Sequence, residues 1–175
     1  KTNIALIGFM GTGKSSVGRV LAKKLKRRFI DLDAVIEQKT NKTILEIFQY
    51  DGESGFRDLE IQATREITLQ KRTVIACGGG VILNKINIDR LKANALIVYL
   101  AASPSVILKR TSRGQGRRPL LKVADQVSRI EELLNFRRSF YEYAADIEIN
   151  TSKLDINAVV EQIMGRLKKN EGFDF

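Results

Sequence analysis

Five short apolar segments constrain the fold of this 175-residue chain more than any other feature. They are NIALIG, RFIDL, TVIAC, ALIVYL and DIEIN, and in most of them Ile, Val and Leu run on without alternating polar residues. A strand needs that pattern when helices cover both faces of its parallel sheet. Helical patterns separate the segments, so the sequence predicts βαβ units in a single α/β domain, residues 1–175, with a five-stranded parallel sheet.

The intervals between the segments carry the helical patterns. The first, SSVGRVLAKKLKRR, places Val17, Leu21 and Leu25 on one helical face, opposite a basic face. The longest interval, residues 33–72, needs two or three helices with a break near Gly52. The final segment, DINAVVEQIMGRLKK, predicts an amphipathic helix whose basic last turn suits the helix dipole.

The segment TSRGQGRRPLL departs from this pattern. It holds two glycines, a proline and three arginines, with no apolar period. Such a composition predicts a mobile loop between two helices, and its length and charge make residues 111–122 a candidate lid.

The composition limits which ligands and which catalytic groups the chain can use. Lys and Arg number 30 against 20 Asp and Glu, a net charge of +10, which suits nucleic acid, an anionic membrane surface or a small polyanionic substrate. A solvated basic surface without a partner explains the excess equally well. The chain has no histidine, so a proton transfer must use a carboxylate, Lys, Tyr or the substrate itself. The lone Cys77 cannot form an internal disulfide, which favours a reducing compartment.

The first strand runs into GFMGTGKS, which fits the P-loop pattern G-x-x-x-x-G-K-[ST]. A phosphate chain needs many donors at close range, and Gly8, Gly11 and Gly13 leave the backbone N–H groups uncovered. Lys14 is placed to reach the β- and γ-phosphates, and the Ser15 hydroxyl to bind Mg²⁺. A strand before the motif and a helix after it favour nucleotide binding over a simple connecting turn.

The second strand ends in DLD, at the carboxyl edge of the sheet where open α/β folds bind ligands. In extended geometry Asp31 and Asp33 point to the same side. One carboxylate would hold Mg²⁺ and the other would accept the proton of a substrate hydroxyl. The alternative for Asp33 is that it only caps the next helix.

Two further features lie downstream. Arg57 stands in the helical pattern GESGFRDLE, where an arginine is usually solvated. The third strand ends in CGGG, and three successive glycines suit a backbone that approaches a small ligand closely. Cys77 has no His or second Cys to activate it, so we expect it to pack in the core.

Taken together, these motifs resemble those of the shikimate kinase family. The resemblance covers nearly the whole chain, through GFMGTGKS, DLD, DGESGFRDLE, the triple glycine, RRPLL and RRSFYEYAAD. It implies a three-layer αβα P-loop kinase fold with a mobile lid near residues 111–122 and an acceptor-binding region near residues 33–60. It also implies ATP-dependent phosphorylation of the 3-hydroxyl of shikimate, in the biosynthesis of aromatic amino acids, with ATP and Mg²⁺ bound.

Residue roles follow from the same resemblance. Lys14, Asp33 and Arg118 would be catalytic, and Ser15 and Asp31 would hold the metal. Asp33 would orient the substrate hydroxyl, whether or not it also accepts the proton. The residues that would bind the nucleotide are Gly11, Thr12, Gly13, Lys14, Ser15, Ser16, Arg110 and Arg118. Those that would bind shikimate are Asp33, Arg57, Gly78, Gly79, Gly80 and Arg137. RRSFYEYA departs from the family in having Ser139 and Phe140 where Pro-Leu is usual, so the adjacent Arg138 competes with Arg137 for the carboxylate.

Two alternatives remain at this stage. The first keeps the kinase fold but changes the acceptor to gluconate or a nucleoside monophosphate. The second is a basic module that binds nucleic acid, which would need a basic stripe with interleaved aromatic residues, whereas aromatics make up 7% of the chain. We expect a cytoplasmic monomer that binds neither nucleic acid nor membrane, or an organellar one if an upstream transit segment was removed.

Overall fold

The structure is a computed structural model that describes residues 1–112 and 126–175. Five strands form one parallel sheet in the order β2-β3-β1-β4-β5. Their bounds are β1 Asn3–Ile7, β2 Arg28–Asp31, β3 Thr73–Ala76, β4 Ala95–Ala101 and β5 Ile147–Asn150. All five predicted strands are therefore confirmed, to within a residue at each end.

Seven helices and one short turn connect the strands in the described residues. The helices are α1 Lys14–Lys24, α2 Leu32–Thr40, α3 Ile44–Thr68, α4 Lys85–Asn94, α5 Pro104–Ser112, α6 Gln126–Ala144 and α7 Ile156–Lys168. A 3₁₀ turn, Val81–Leu83, follows β3. No helix in these two stretches is long and apolar enough to cross a membrane.

The sheet separates two apolar cores, which makes the architecture the predicted three layers. Ile4, Leu6 and Val98 face α1 and α7. Ala5 and Ile7 of the same first strand face the core that the helices α2, α3, α4 and α6 cover. Because successive side chains point to opposite faces, a strand buried on both sides must be apolar throughout.

The sequence patterns predicted some helix boundaries more accurately than others. The break near Gly52 is confirmed: its φ of 69° and ψ of −179° interrupt α3. The first helical pattern, which was expected to include Leu25, ends one residue earlier, because α1 stops at Lys24 and Lys26 takes a left-handed φ of 53° before β2. Thr111 and Ser112, which the sequence assigned to the lid loop, form the last turn of α5.

Candidate active site

The glycine-rich segment between β1 and α1 curls around a cleft at the carboxyl edge of the sheet. Gly8 has a φ of 149° and Gly13, the N-cap of α1, a φ of 94°, both in the left-handed range that favours glycine. The Thr12 side chain is buried and donates to the Phe9 carbonyl at 2.8 Å, which braces the loop from within. The N-terminus of α1 therefore opens onto the cleft, where its positive dipole end suits an anion.

Lys14 lies across this loop. Its Nζ donates to the carbonyl oxygens of Gly8 at 2.8 Å and Phe9 at 2.9 Å. These contacts hold the ammonium over the loop, where a phosphate would meet it, so the charge is oriented before a ligand arrives.

Ser15 and Asp31 meet at the start of α1. The Ser15 hydroxyl donates to Asp31 Oδ2 at 2.7 Å, and Asp31 Oδ1 accepts from the Ala34 backbone N–H at 3.2 Å. Asp31 is thus the N-cap of α2. Within the described residues no cluster of three His, Cys, Asp or Glu side chains could bind a metal. A hydroxyl beside one carboxylate nevertheless suits Mg²⁺, which takes few protein oxygens when phosphates supply others.

Asp33 lies in the first turn of α2, which corrects two expectations. It does not extend β2 beside Asp31, since the strand ends at Asp31, and it is not the helix cap, since Asp31 takes that role. Asp33 Oδ1 is buried and has no hydrogen-bond partner among the described residues. Burial, and then the charge of Asp31, raise the pKa of Asp33, so its carboxylate binds a proton more readily than an ordinary aspartate.

The three glycines after β3 make room for the side chains of the site. A Cβ on Gly80 would collide with the Arg57 guanidinium, and one on Gly78 would lie 3.0 Å from Asp33 Oδ1 and 3.1 Å from Glu60 Oε2. We expected these glycines to admit a ligand; in the structure the close neighbours are acceptor-site side chains. None of the three has a positive φ, so space and not backbone conformation requires glycine here.

Arg57 is held in the site by Glu60, one turn later in α3. Arg57 Nη1 lies 2.9 Å from Glu60 Oε1, and the Glu60 side chain is 1% exposed against 20% for Arg57. Burial raises the pKa of Glu60 while Arg57 opposes the shift. Arg57 is therefore not a solvated helix residue. Sequence analysis missed Glu60, because an opposite charge three residues along a helix is most often a surface pair.

Arg137, and not Arg138, faces the site from α6. Arg137 Nη1 lies 3.6 Å from the Cβ position of Gly79, and its guanidinium lies 5.7 Å from the centre of the Phe9 ring. Arg138 is exposed. The alternative assignment of the carboxylate role to Arg138 is therefore disfavoured by the geometry.

Arg110 connects three segments on the other side of the P-loop. Its Nη2 donates to the Thr151 carbonyl at 2.8 Å, and its Nη1 donates to Thr151 Oγ1 at 3.0 Å and to the Gly11 carbonyl at 3.4 Å. Thr151, buried just after β5, also bonds to the Ala101 carbonyl. The sequence did not single out Thr151, because a threonine after a strand carries no motif.

One cleft of about 820 Å³ joins most of these residues. It is lined by Met10, Gly11, Thr12, Gly13, Lys14, Ser15, Ser16, Val17, Asp31, Asp33, Cys77, Gly78, Gly79, Arg110, Thr151, Leu154, Asp155, Ile156, Asn157 and Val159. Arg57, Gly80 and Arg137 lie beside it, beyond Asp33 and Gly79. Cys77 is buried and free, and burial raises the pKa of its thiol, as expected of a packing residue. Arg118 and residues 113–122 of the expected lid lie outside the described residues.

Comparisons with known proteins agree with this geometry. A family model described as shikimate kinase matches residues 10–168. The shikimate kinase of Thermodesulfovibrio yellowstonii is 49% identical over 162 residues, which cover 93% of this chain and 92% of that protein. The shikimate kinase of Caldanaerobacter subterraneus is 44% identical over 170 residues, covering 97% and 98%.

The solved structures agree as well. The shikimate kinase of Acinetobacter baumannii, solved in complex with shikimate, superposes with a TM-score of 0.92 at 38% identity, covering 97% of this chain and 94% of that one. The family model and the curated relatives each span most of the sequence. The chain therefore belongs to the shikimate kinase family.

Proposed function

We propose that this chain transfers the γ-phosphoryl group of ATP to the 3-hydroxyl of shikimate, giving ADP and shikimate 3-phosphate. The observation that carries the proposal is the position of Asp33 and Gly79. Both line the cleft of the P-loop; Gly79 lies beside Arg137, and the charge of Arg57 acts on Asp33. A phosphate donor and a small carboxylate acceptor would therefore meet at this boundary.

The donor half would bind ATP by its phosphates. Backbone N–H groups of residues 11–16 would surround the phosphate chain, and Lys14 would neutralise charge on the group being transferred. Arg110 is held by Thr151 and lines the cleft, and its guanidinium would contact the base. Ser15 and Asp31 would hold Mg²⁺, which supplies positive charge to the phosphate oxygens.

The acceptor half would recognise shikimate by its charge and hydroxyls. Two guanidinium groups, those of Arg57 and Arg137, suit bidentate binding of a carboxylate better than lysines would. Asp33 Oδ1, buried and unpartnered among the described residues, is available to accept from a hydroxyl. Gly78, Gly79 and Gly80 leave space for this arrangement.

Asp33 would orient the hydroxyl and take up its proton. The shikimate oxygen would bond to the γ-phosphorus as the bond from that phosphorus to the bridging oxygen of ATP breaks. The hydroxyl proton would be transferred to the Asp33 carboxylate. The raised pKa of Asp33 favours this transfer. Phosphoryl transfer otherwise depends on positioning and charge neutralisation, so the absence of histidine from the sequence is no obstacle.

The remaining expectations belong to the same proposal. Residues 1–175 would form one domain, in which residues 33–60 bind the acceptor and residues 113–122 close over the site, bringing Arg118 to the transferred phosphate. The protein would work as a cytoplasmic monomer on small molecules, without nucleic acid or membrane.

A coupled assay of ADP release tests the proposal. We expect turnover with ATP and shikimate, and none above the background of ATP hydrolysis with gluconate or AMP. Lys14→Ala should lower turnover by about a hundredfold or more, because it removes a charge that the transition state needs. Lys23→Ala, which removes an exposed lysine from the same helix, should match the wild type. Preferred turnover of gluconate or AMP would refute the acceptor.

A further inference from the structure

We propose that Tyr141 is a positioning residue of the acceptor site, whose hydroxyl fixes Gly79 and Arg137 relative to each other. This inference rests on the acceptor roles proposed above for Gly79 and Arg137. It assigns to Tyr141 no contact with either substrate.

The ring of Tyr141 is held rigidly in the core. Tyr141 lies in α6 with 0% of its surface exposed. Its ring stacks on Tyr99 of β4, with centroids 4.9 Å apart and planes inclined by 13°. Because β4 lies inside the sheet, between β1 and β5, stacking on Tyr99 fixes the position of the Tyr141 hydroxyl.

That hydroxyl bonds to the glycine segment. Tyr141 Oη donates to the Gly79 carbonyl at 2.5 Å. Gly79 lies outside the regular strand and turn, and a glycine backbone is otherwise free to change conformation. A hydrogen bond from a fixed phenol therefore selects one orientation of the Gly79 carbonyl.

Gly79 occupies the narrow space between the two halves of the site. A Cβ at Gly79 would lie 3.6 Å from Arg137 Nη1 and 3.7 Å from both the Gly8 carbonyl oxygen and the Met10 amide nitrogen. A shift of the Gly79 peptide would therefore disturb its packing against Arg137. The Tyr141 hydroxyl would act on the acceptor site through this contact.

Arg137 lies one helical turn before Tyr141 in α6, and its positive charge acts on the same hydroxyl. Burial raises the pKa of the phenol to about 12, although the charge of Arg137 opposes the shift. The phenol is consequently protonated throughout the range in which the enzyme would work, so its proton stays available to the Gly79 carbonyl.

A purely structural role for Tyr141 makes a different prediction. A buried tyrosine also needs some partner for its hydroxyl, whatever the function. Tyr99 supplies the matched control, since it is the other ring of the same stack and is 4% exposed. The charged groups that act on the Tyr99 hydroxyl are Glu148, Arg138 and Glu142, which lie outside the site.

The experiment compares Tyr141→Phe with Tyr99→Phe in steady-state kinetics with ATP and shikimate. Each variant keeps the stacked rings and loses one hydroxyl. We expect Tyr141→Phe to raise KM for shikimate about five- to tenfold, as for the loss of one buried hydrogen bond, with KM for ATP within about twofold of the wild type. Tyr99→Phe should leave both constants unchanged.

A double-mutant cycle with Arg137→Ala checks the route of the effect. If the hydroxyl acts through Arg137 and its neighbour Gly79, Tyr141→Phe should cost less in the Arg137→Ala background than alone. An unchanged KM for shikimate in Tyr141→Phe, an equal rise in Tyr99→Phe, an equal loss for ATP, or additive effects in the cycle would each overturn the inference. Turnover of shikimate by the wild type tests the proposed function separately.

Discussion

At the scale of single residues, two aspartates that the sequence presents as a pair have different environments. Asp31 ends β2, caps α2 and accepts a hydrogen bond from Ser15, so each of its two oxygens has a protein partner. Asp33, two residues later, keeps a buried oxygen without a partner among the described residues. The first therefore suits metal binding and the second suits a substrate hydroxyl.

Asp33→Asn should lower activity and raise stability together. Burial raises the pKa of Asp33, so the folded state binds its proton more tightly than the unfolded state does. Its contribution to stability is complete below the ordinary aspartate pKa and is lost as pH rises through the raised pKa. We expect Asp33→Asn to melt a few degrees above the wild type near pH 8 and to have a smaller advantage near pH 5.

Calorimetric melting at the two pH values, with turnover measured in parallel, checks this prediction. Turnover of Asp33→Asn should fall by about a hundredfold or more if the carboxylate accepts the proton. Asp58→Asn, at an exposed position of α3, should change neither property. A stability gain that is larger near pH 5 than near pH 8 would contradict the assigned burial of the Asp33 charge.

Residues of the site differ in how far the sequence could predict them. Lys14 and Ser15 follow from a motif whose spacing fixes their places in a strand-loop-helix unit. Glu60 and Tyr141 do not, because each acts on another side chain or on backbone across the fold, and only the packed structure shows the partner. The location of Asp33 was also missed, since propensity does not show where a strand ends and a helix begins.

At the scale of elements, the connection from β3 to the 3₁₀ turn is the critical one. Gly78, Gly79 and Gly80 pass between α3, which carries Arg57, and α6, which carries Arg137. Three consecutive glycines predicted a backbone that approaches a ligand closely at this connection. The side chains that crowd it were not predicted, because they come from distant parts of the chain.

Gly80→Ala should damage the acceptor site without unfolding the protein. The added methyl would collide with the Arg57 guanidinium, the flexible end of a long side chain, which can move aside. We expect binding of shikimate to weaken by about tenfold, as for a lost charged hydrogen bond, and binding of ATP to stay unchanged. Titration calorimetry with each ligand measures both.

Gly165→Ala is the matched glycine control for that experiment. Gly165 lies in α7, and nothing comes within 4 Å of its Cβ position. Replacing a helical glycine by alanine should add about 0.5–1 kcal/mol to the free energy of unfolding and leave both ligands' affinities unchanged. Weaker ATP binding in Gly80→Ala, or intact shikimate binding, would be inconsistent with the role given to this connection.

At the scale of the whole molecule, the strand order brings the site together. β1 lies at the centre of the sheet, so the P-loop that follows it has β3 and its glycines on one side and β4 on the other. The continuous apolar segments were enough to predict five parallel strands and the three layers. Only the structure shows the order of the strands, because which strands are neighbours depends on which helices pack on which face of the sheet.

The central claim is that the two substrates occupy separate halves of one edge of this sheet, with the acceptor held by its carboxylate. The most direct measurement is calorimetric titration of shikimate and of ATP into the wild type, Arg137→Ala and Arg138→Ala. We predict that Arg137→Ala weakens shikimate binding by about tenfold to a hundredfold and leaves ATP binding within about twofold, because a charge-assisted contact to one ligand is lost. Arg138→Ala should bind both ligands like the wild type. Equal losses for the two ligands in Arg137→Ala, or a shikimate loss confined to Arg138→Ala, would contradict the claim.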